Sequence, residues 1–159
     1  MSEFTFDAED EVATDRLGDA LAETIPDGTT IALCGTLGAG KTRLVQAIAA
    51  ASGIDRRQVL SPTFVLVQEY SGSRTIYHFD AYRIRDDDEF LELGPDEYFE
   101  SDGVTLIEWA DRVADCLPRE YVEITIEVTG AAARQFRVQA IGESLDSAIQ
   151  ACEARLRVR

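Results

Sequence analysis

The stretch Gly35-Thr36-Leu37-Gly38-Ala39-Gly40-Lys41-Thr42 limits what this chain can be more than any other segment does. It follows the pattern G-x-x-x-x-G-K-[ST], and it lies where that pattern has physical meaning. Before it comes a short apolar run, Thr30-Ile31-Ala32-Leu33-Cys34, and after it Leu44, Val45, Ile48 and Ala51 recur at helical intervals. Glycines let successive backbone N–H groups turn into one concavity, the helix start adds the positive end of its dipole, and the threonine hydroxyl suits a magnesium ion. The ammonium of Lys41 is a compact charge on a flexible stem, able to reach terminal phosphates. It is also the only lysine: the other 14 of the 15 basic residues are arginine, so a chain that otherwise uses arginine keeps its lysine for this loop. The segment predicts a P-loop nucleotide site.

Composition narrows the setting. A length of 159 residues suits one domain with a single core. A hydrophobic share of 45% and a charged share of 28% are those of a globular chain rather than a disordered one. No apolar run approaches the roughly 20 residues of a transmembrane helix. Residues 1–11 are acidic and lack the basic start and apolar stretch of a signal peptide, so the expected location is the cytoplasm, away from the membrane. Cys34, Cys116 and Cys152 are an odd number without CxxC spacing, which argues against a disulfide framework and a zinc site. The net charge of -15 repels phosphate backbones and favours a basic protein partner over direct contact with nucleic acid.

Along the chain, acidic residues 7–10 have spacing suited to a helix start, and Val12, Leu17, Leu21 and Ile25 follow at near-helical intervals until Pro26-Asp27-Gly28. Ser52-Gly53 is the expected stop of the helix after the P-loop. Residues 63–70 and 74–79 are β-rich runs separated by Ser71-Gly72-Ser73, which predicts an antiparallel hairpin and hence a mixed sheet. Asp86 and Glu89 have capping-box spacing for a short helix over residues 86–93. Val104-Thr105-Leu106-Ile107 is a further buried strand. Residues 121–128 and 135–140 form a second hairpin across residues 129–134, and Leu145, Ala148, Ile149, Cys152 and Leu156 mark a last amphipathic helix.

A P-loop needs a carboxylate to hold magnesium, usually at the end of a buried strand. Asp80, after Ile76-Tyr77-His78-Phe79, and Glu108, after the strand at 104–107, both fit, against the plainer reading of acids at exposed strand ends. Ser61-Pro62-Thr63 lies where nucleotide switches place a γ-phosphate sensor, and is equally an ordinary turn. His78, the only histidine, suits a structural strand position better than a proton carrier. Trp109, the only tryptophan, reads as a core or interface anchor or as a neighbour of the nucleotide. Residues 86–102 hold nine carboxylates and no basic residue, either a solvated face or a docking surface for a basic partner.

Taken together, Leu37 to Thr42, Ser61-Pro62-Thr63-Phe64, His78-Phe79-Asp80-Ala81-Tyr82-Arg83 and Glu108-Trp109 resemble the bacterial tRNA threonylcarbamoyladenosine biosynthesis ATPase family TsaE, also called YjeE. They stand in that family's order and at its spacings over nearly the whole chain. The resemblance implies an α/β fold, a single P-loop NTPase-like domain over residues 1–159 with a mixed, partly antiparallel sheet flanked by helices. It further implies weak ATP hydrolysis within a complex with the proteins TsaD and TsaB. That complex forms N6-threonylcarbamoyladenosine at position 37 of tRNAs reading ANN codons. This component would support turnover rather than catalyse the transfer, and would meet tRNA only indirectly. The cofactors implied are ATP and Mg2+. Carried over, Leu37, Gly38, Ala39, Gly40, Lys41 and Thr42 would wrap the phosphates, Thr42 and Glu108 would ligate the metal, and Lys41, Asp80 and Glu108 would serve hydrolysis. Arg134 and Glu11 would touch the nucleotide, Glu11 on its adenine side. The chain departs from the family pattern at Thr36, where aspartate is frequent, and at Arg43, where a second threonine is frequent.

Three other readings share the P-loop. A small-molecule kinase needs a basic lid over the phosphates, and the stretch after Arg85 is acidic instead. A GTPase needs a second lysine for guanine recognition, and there is none. A non-catalytic ATP-gated binding module would use nucleotide only to order a partner surface.

Overall fold

The computed structural model describes residues 2–36, 38–60 and 66–158. Seven strands share one sheet: β1 Glu3–Ala8, β2 Thr30–Gly35, β3 Val67–Ser71, β4 Thr75–Asp80, β5 Val104–Glu108, β6 Tyr121–Val128 and β7 Arg134–Ile141, in the spatial order β1-β7-β6-β2-β5-β4-β3. Strand β2 lies parallel to β5 and to β6, and β4 lies parallel to β5. The pairs β3–β4, β6–β7 and β1–β7 are antiparallel. The sheet is therefore mixed, as the two hairpins require, and the fold is the α/β, P-loop NTPase-like one expected.

Helices α1 Glu11–Thr24, α2 Lys41–Ala51 and α5 Asp146–Arg157 cover one face. Leu17, Leu21, Leu44, Ile48, Ile149 and Cys152 pack there against Ile31, Leu33, Leu106 and Val122. The short helices α3 Asp87–Leu91 and α4 Pro95–Phe99 cover the other, where Phe90, Tyr98 and Phe99 join Phe79, Ala32 and Ile107. Alternation along each strand sorts its side chains between these two cores: Leu106 and Glu108 go to the α2 side, Ile107 to the α3 side.

Several boundaries differ from expectation. Residues 3–8 form a strand that periodicity did not suggest, since only Phe4 and Ala8 of β1 are buried and acids surround them. Asp7 therefore lies in β1, and Asp10 alone caps α1, accepting from Ala13 N at 2.9 Å. Val12 is 68% exposed and Ala51 also faces solvent; Thr14, Ala47 and Ala49 are buried in these helices instead. Arg134 opens β7 rather than closing the preceding loop. Asp86 caps α3 by accepting from Glu89 N, but the Glu89 carboxylate pairs with Arg85 instead of returning to the cap, so only half of the capping box forms. Helix α4 and the 3₁₀ segment Ala110–Cys116 carried no periodic signal long enough to find.

Candidate functional site

The P-loop leaves the C-terminal end of β2 and enters α2, while Asp80 and Glu108 end β4 and β5 as register partners. Carboxyl ends of parallel strands thus converge with a helix N-terminus, the usual place for a phosphate ligand in such sheets. Gly40 stands at the N-cap of α2 with φ 104°, a left-handed angle that glycine adopts without penalty. Leu37, and the sensor expected at Ser61-Pro62-Thr63, lie outside the described residues.

Lys41 is 4% exposed, and its Nζ donates to Gly35 O at 2.8 Å and Thr36 O at 2.9 Å. The same ammonium sits 3.8 Å from the centre of the Trp109 ring. Burial lowers the Lys41 pKa from the ordinary lysine range, and the charges of Glu108, Asp111 and Asp80 oppose that shift. Trp109 has φ 59° and ψ 38°, the only described non-glycine residue at positive φ. Such a conformation costs on the order of 1–2 kcal/mol, and the surrounding contacts must hold it. Here the indole also meets Tyr82, at 4.8 Å between ring centres. The structure places Trp109 beside Lys41.

Both candidate acids are buried rather than surface strand ends, Asp80 at 8% and Glu108 at 3% exposure. Thr42 Oγ1 donates to both Glu108 oxygens at 2.9 Å, so the two residues named as metal ligands stand face to face. Asp80 Oδ1 accepts from Tyr82 N at 2.9 Å, which anchors the turn after β4. His78 is fully buried, with Nε2 2.6 Å from Glu108 Oε2.

A cavity of about 260 Å³ is lined by Gly38, Ala39, Gly40, Lys41, Thr42, Arg43, Glu108 and Trp109. A second, of about 70 Å³, adjoins it across Gly40 and brings together Glu11, Arg43, Arg134 and the hairpin residues Ala131 and Ala132. Arg134 reaches over the loop, donating from Nε to Ala39 O at 2.9 Å. Distant segments named by sequence, Glu11 from α1 and Arg134 from β7, therefore flank the P-loop together. Arg43 was noted only as a departure from the family pattern. It binds both Asp15 oxygens, at 3.0 and 3.1 Å, lies 3.5 Å from Glu11, and so ties the helix after the P-loop to α1. An arginine one residue past the motif, with acids spaced four apart on a neighbouring helix, was the only sequence signal for that link.

Among the described residues, no group of three or more His, Cys, Asp or Glu could hold a metal. No described helix is long and apolar enough to cross a membrane.

The family model for Threonylcarbamoyl adenosine biosynthesis protein TsaE matches residues 8–136. The chain is 40% identical over 139 residues to the tRNA threonylcarbamoyladenosine biosynthesis protein TsaE of Bacillus subtilis (strain 168), covering 87% of this chain and 84% of that protein. It is 37% identical over 125 residues to the protein of the same name from Treponema pallidum (strain Nichols), covering 79% of this chain and 92% of the other. The crystal structure of Bacillus subtilis YdiB superposes with a TM-score of 0.78 at 29% identity, over 98% of this chain and 95% of that one. A P-loop, the convergent acids and matches of this extent lead to one conclusion: the chain belongs to the TsaE family.

Proposed function

We propose that this protein binds ATP with magnesium at the P-loop and hydrolyses it to support formation of N6-threonylcarbamoyladenosine at position 37 of tRNAs reading ANN codons. TsaD and TsaB are the proposed partners, and the chain sustains turnover rather than transferring the group. The family's name supports the pathway. The observation that carries the ATPase reading is the convergence of Lys41, Thr42 and Glu108 on one cavity beside a helix N-terminus, with Asp80 the register partner of Glu108 on the neighbouring strand.

Each residue has a part in that reading. The N–H groups of the loop and of the first turn of α2 bind phosphate oxygens. Lys41 leaves the carbonyls of Gly35 and Thr36 to meet the β- and γ-phosphates, a fair exchange because a buried ammonium gains from an anionic partner. Thr42 and Glu108 would hold magnesium: a hydroxyl and a carboxylate within 2.9 Å fit a hard cation that takes few protein ligands and completes its shell with phosphate oxygens and water. Bound there, the ion would neutralise charge across the phosphates. Asp80 serves hydrolysis from the neighbouring strand end, and Arg134 with Glu11 lines the nucleoside side.

A reconstituted modification assay tests the reading. With TsaB, TsaD, a threonylcarbamoyl donor and excess tRNA, the wild-type chain plus ATP gives many rounds of modification, and Lys41→Ala at most one. Equal yields from the two would overturn it. Phosphate counted in the same reaction separates the competing readings, because a kinase passes it to an acceptor and an ATP-gated module releases none.

A further inference from the structure

His78, which the nucleotide chemistry described above does not use, lies in the middle of a polar path that leads to Glu108. Its Nε2 faces Glu108 Oε2 at 2.6 Å, and its Nδ1 lies 3.4 Å from the Tyr70 hydroxyl. That hydroxyl in turn bonds to Gln68 Oε1. Glu108 continues the path to Thr42, so side-chain contacts cross from the sheet-edge strand β3 through β4 and β5 to the head of the P-loop helix. Around it the face is apolar: Ile76 and Leu106 are at 1% and 0% exposure.

A leucine at position 78 would fill such a face with no polar group to satisfy, whereas an imidazole is costly unless both nitrogens find partners. An ionised carboxylate only accepts, so the bond to it requires the proton on Nε2; Nδ1 is then an acceptor, and the Tyr70 hydroxyl, whose one hydrogen is shared between Gln68 Oε1 and Nδ1 at 3.4 Å, borders the ring on the other side. Thr42, the other described partner of the Glu108 carboxylate, donates one hydrogen across both oxygens, which leaves the carboxylate plane poorly defined without a second donor.

We propose that His78 is a positioning residue: it sets the Glu108 carboxylate at the head of α2, and Tyr70 with Gln68 sets His78. The inference rests on the proposed metal role of Thr42 and Glu108 only for its consequence, a magnesium requirement that depends on a residue far from the phosphates.

Two experiments test it. The first uses no nucleotide: unfolding of wild type, His78→Leu, Glu108→Gln and the double variant in urea. Positioning makes the two changes non-additive by at least about threefold in the unfolding equilibrium; additive effects overturn the proposal. The second titrates magnesium into ATP-binding measurements by calorimetry. His78→Leu raises the magnesium midpoint about tenfold, with metal-free ATP affinity kept within about threefold. His78→Gln, whose amide nitrogen replaces Nε2 as donor, restores the midpoint to within about threefold. A leucine variant with an unchanged midpoint, or a glutamine variant no better than it, overturns the proposal. Tyr70→Phe keeps the ring and the fold, and shifts the midpoint in the same direction by a smaller factor; no shift removes Tyr70 from the path. A wild type indifferent to magnesium would defeat the metal reading instead, and the urea cycle would still decide whether His78 and Glu108 are coupled.

Discussion

Among the described residues, Lys41 bonds to carbonyls of its own loop and to the face of Trp109 and belongs to neither core. Lys41→Ala is expected to keep the fold and weaken ATP binding at least tenfold, about 1.4 kcal/mol. Calorimetry checks it, and a change below about threefold would mean that the ammonium does not meet phosphate. The two buried acids differ in their partners. Glu108 is tied to Thr42 and His78, whereas Asp80 anchors the backbone N–H of Tyr82. Glu108→Gln should therefore move the magnesium dependence of activity. Asp80→Asn, which keeps an oxygen for Tyr82 N, should slow hydrolysis while affinity stays nearly the same. If the magnesium response is unchanged in Glu108→Gln and altered in Asp80→Asn, the two roles are exchanged. The types of these residues were legible at strand ends in the sequence. Their burial and their pairing were not, because side-chain partners 30 and 66 positions apart carry no local signature.

At the level of elements, α1 and α2 pack so closely that a Cβ on Gly18 would lie 2.4 Å from Ala47 Cβ and 2.9 Å from the Ala47 carbonyl carbon. Gly18→Ala gains about 1 kcal/mol of helix propensity. The clash is with backbone and a rigid methyl, so the overpacking cost, up to about 3 kcal/mol, outweighs that gain. A net loss of about 2 kcal/mol would lower Tm by roughly 4–8 °C, read by calorimetry. A Tm equal to or above wild type would show that the helices separate without cost. Because α2 carries Lys41 and Thr42 in its first turn and Arg43 bridges to Asp15, the same shift should also weaken ATP binding. Both hairpins and the α2 segment were readable from period and turn residues. β1 was not: a strand with one flank of acids and only Phe4 and Ala8 buried depends on pairing with β7, a segment more than 120 positions away.

Across the surface, a net charge of -15 sets how the molecule meets others. Helices α3 and α4 place acids of residues 86–102 on one face of the sheet, with Leu91 50% exposed among them. Bringing that charge against a phosphate backbone is repulsive, whereas a basic protein patch is attracted over a screening length of about 8 Å at physiological salt. The isolated chain should show no sub-micromolar binding to purified tRNA in a gel shift at that salt. Its association with the proposed partners TsaB and TsaD, followed by sedimentation, should weaken as salt rises from about 0.05 to about 0.3 M. Association indifferent to salt would place the contact on an apolar surface instead.

Covalent neighbours explain the part of this protein that is readable from its sequence alone. A phosphate loop is a local device, with its glycines, lysine and threonine within eight consecutive positions, and a hairpin is a local device of two runs and a turn. The remainder depends on contacts between segments. Folding brings Glu11 and Arg134 to one cavity beside Gly40, lays Trp109 on Lys41, and sets His78 against a carboxylate on the next strand. Each of those contacts depends on strand order and register. A parallel pairing such as β4 with β5 is chosen by the packing of both sheet faces, which no single stretch of residues encodes.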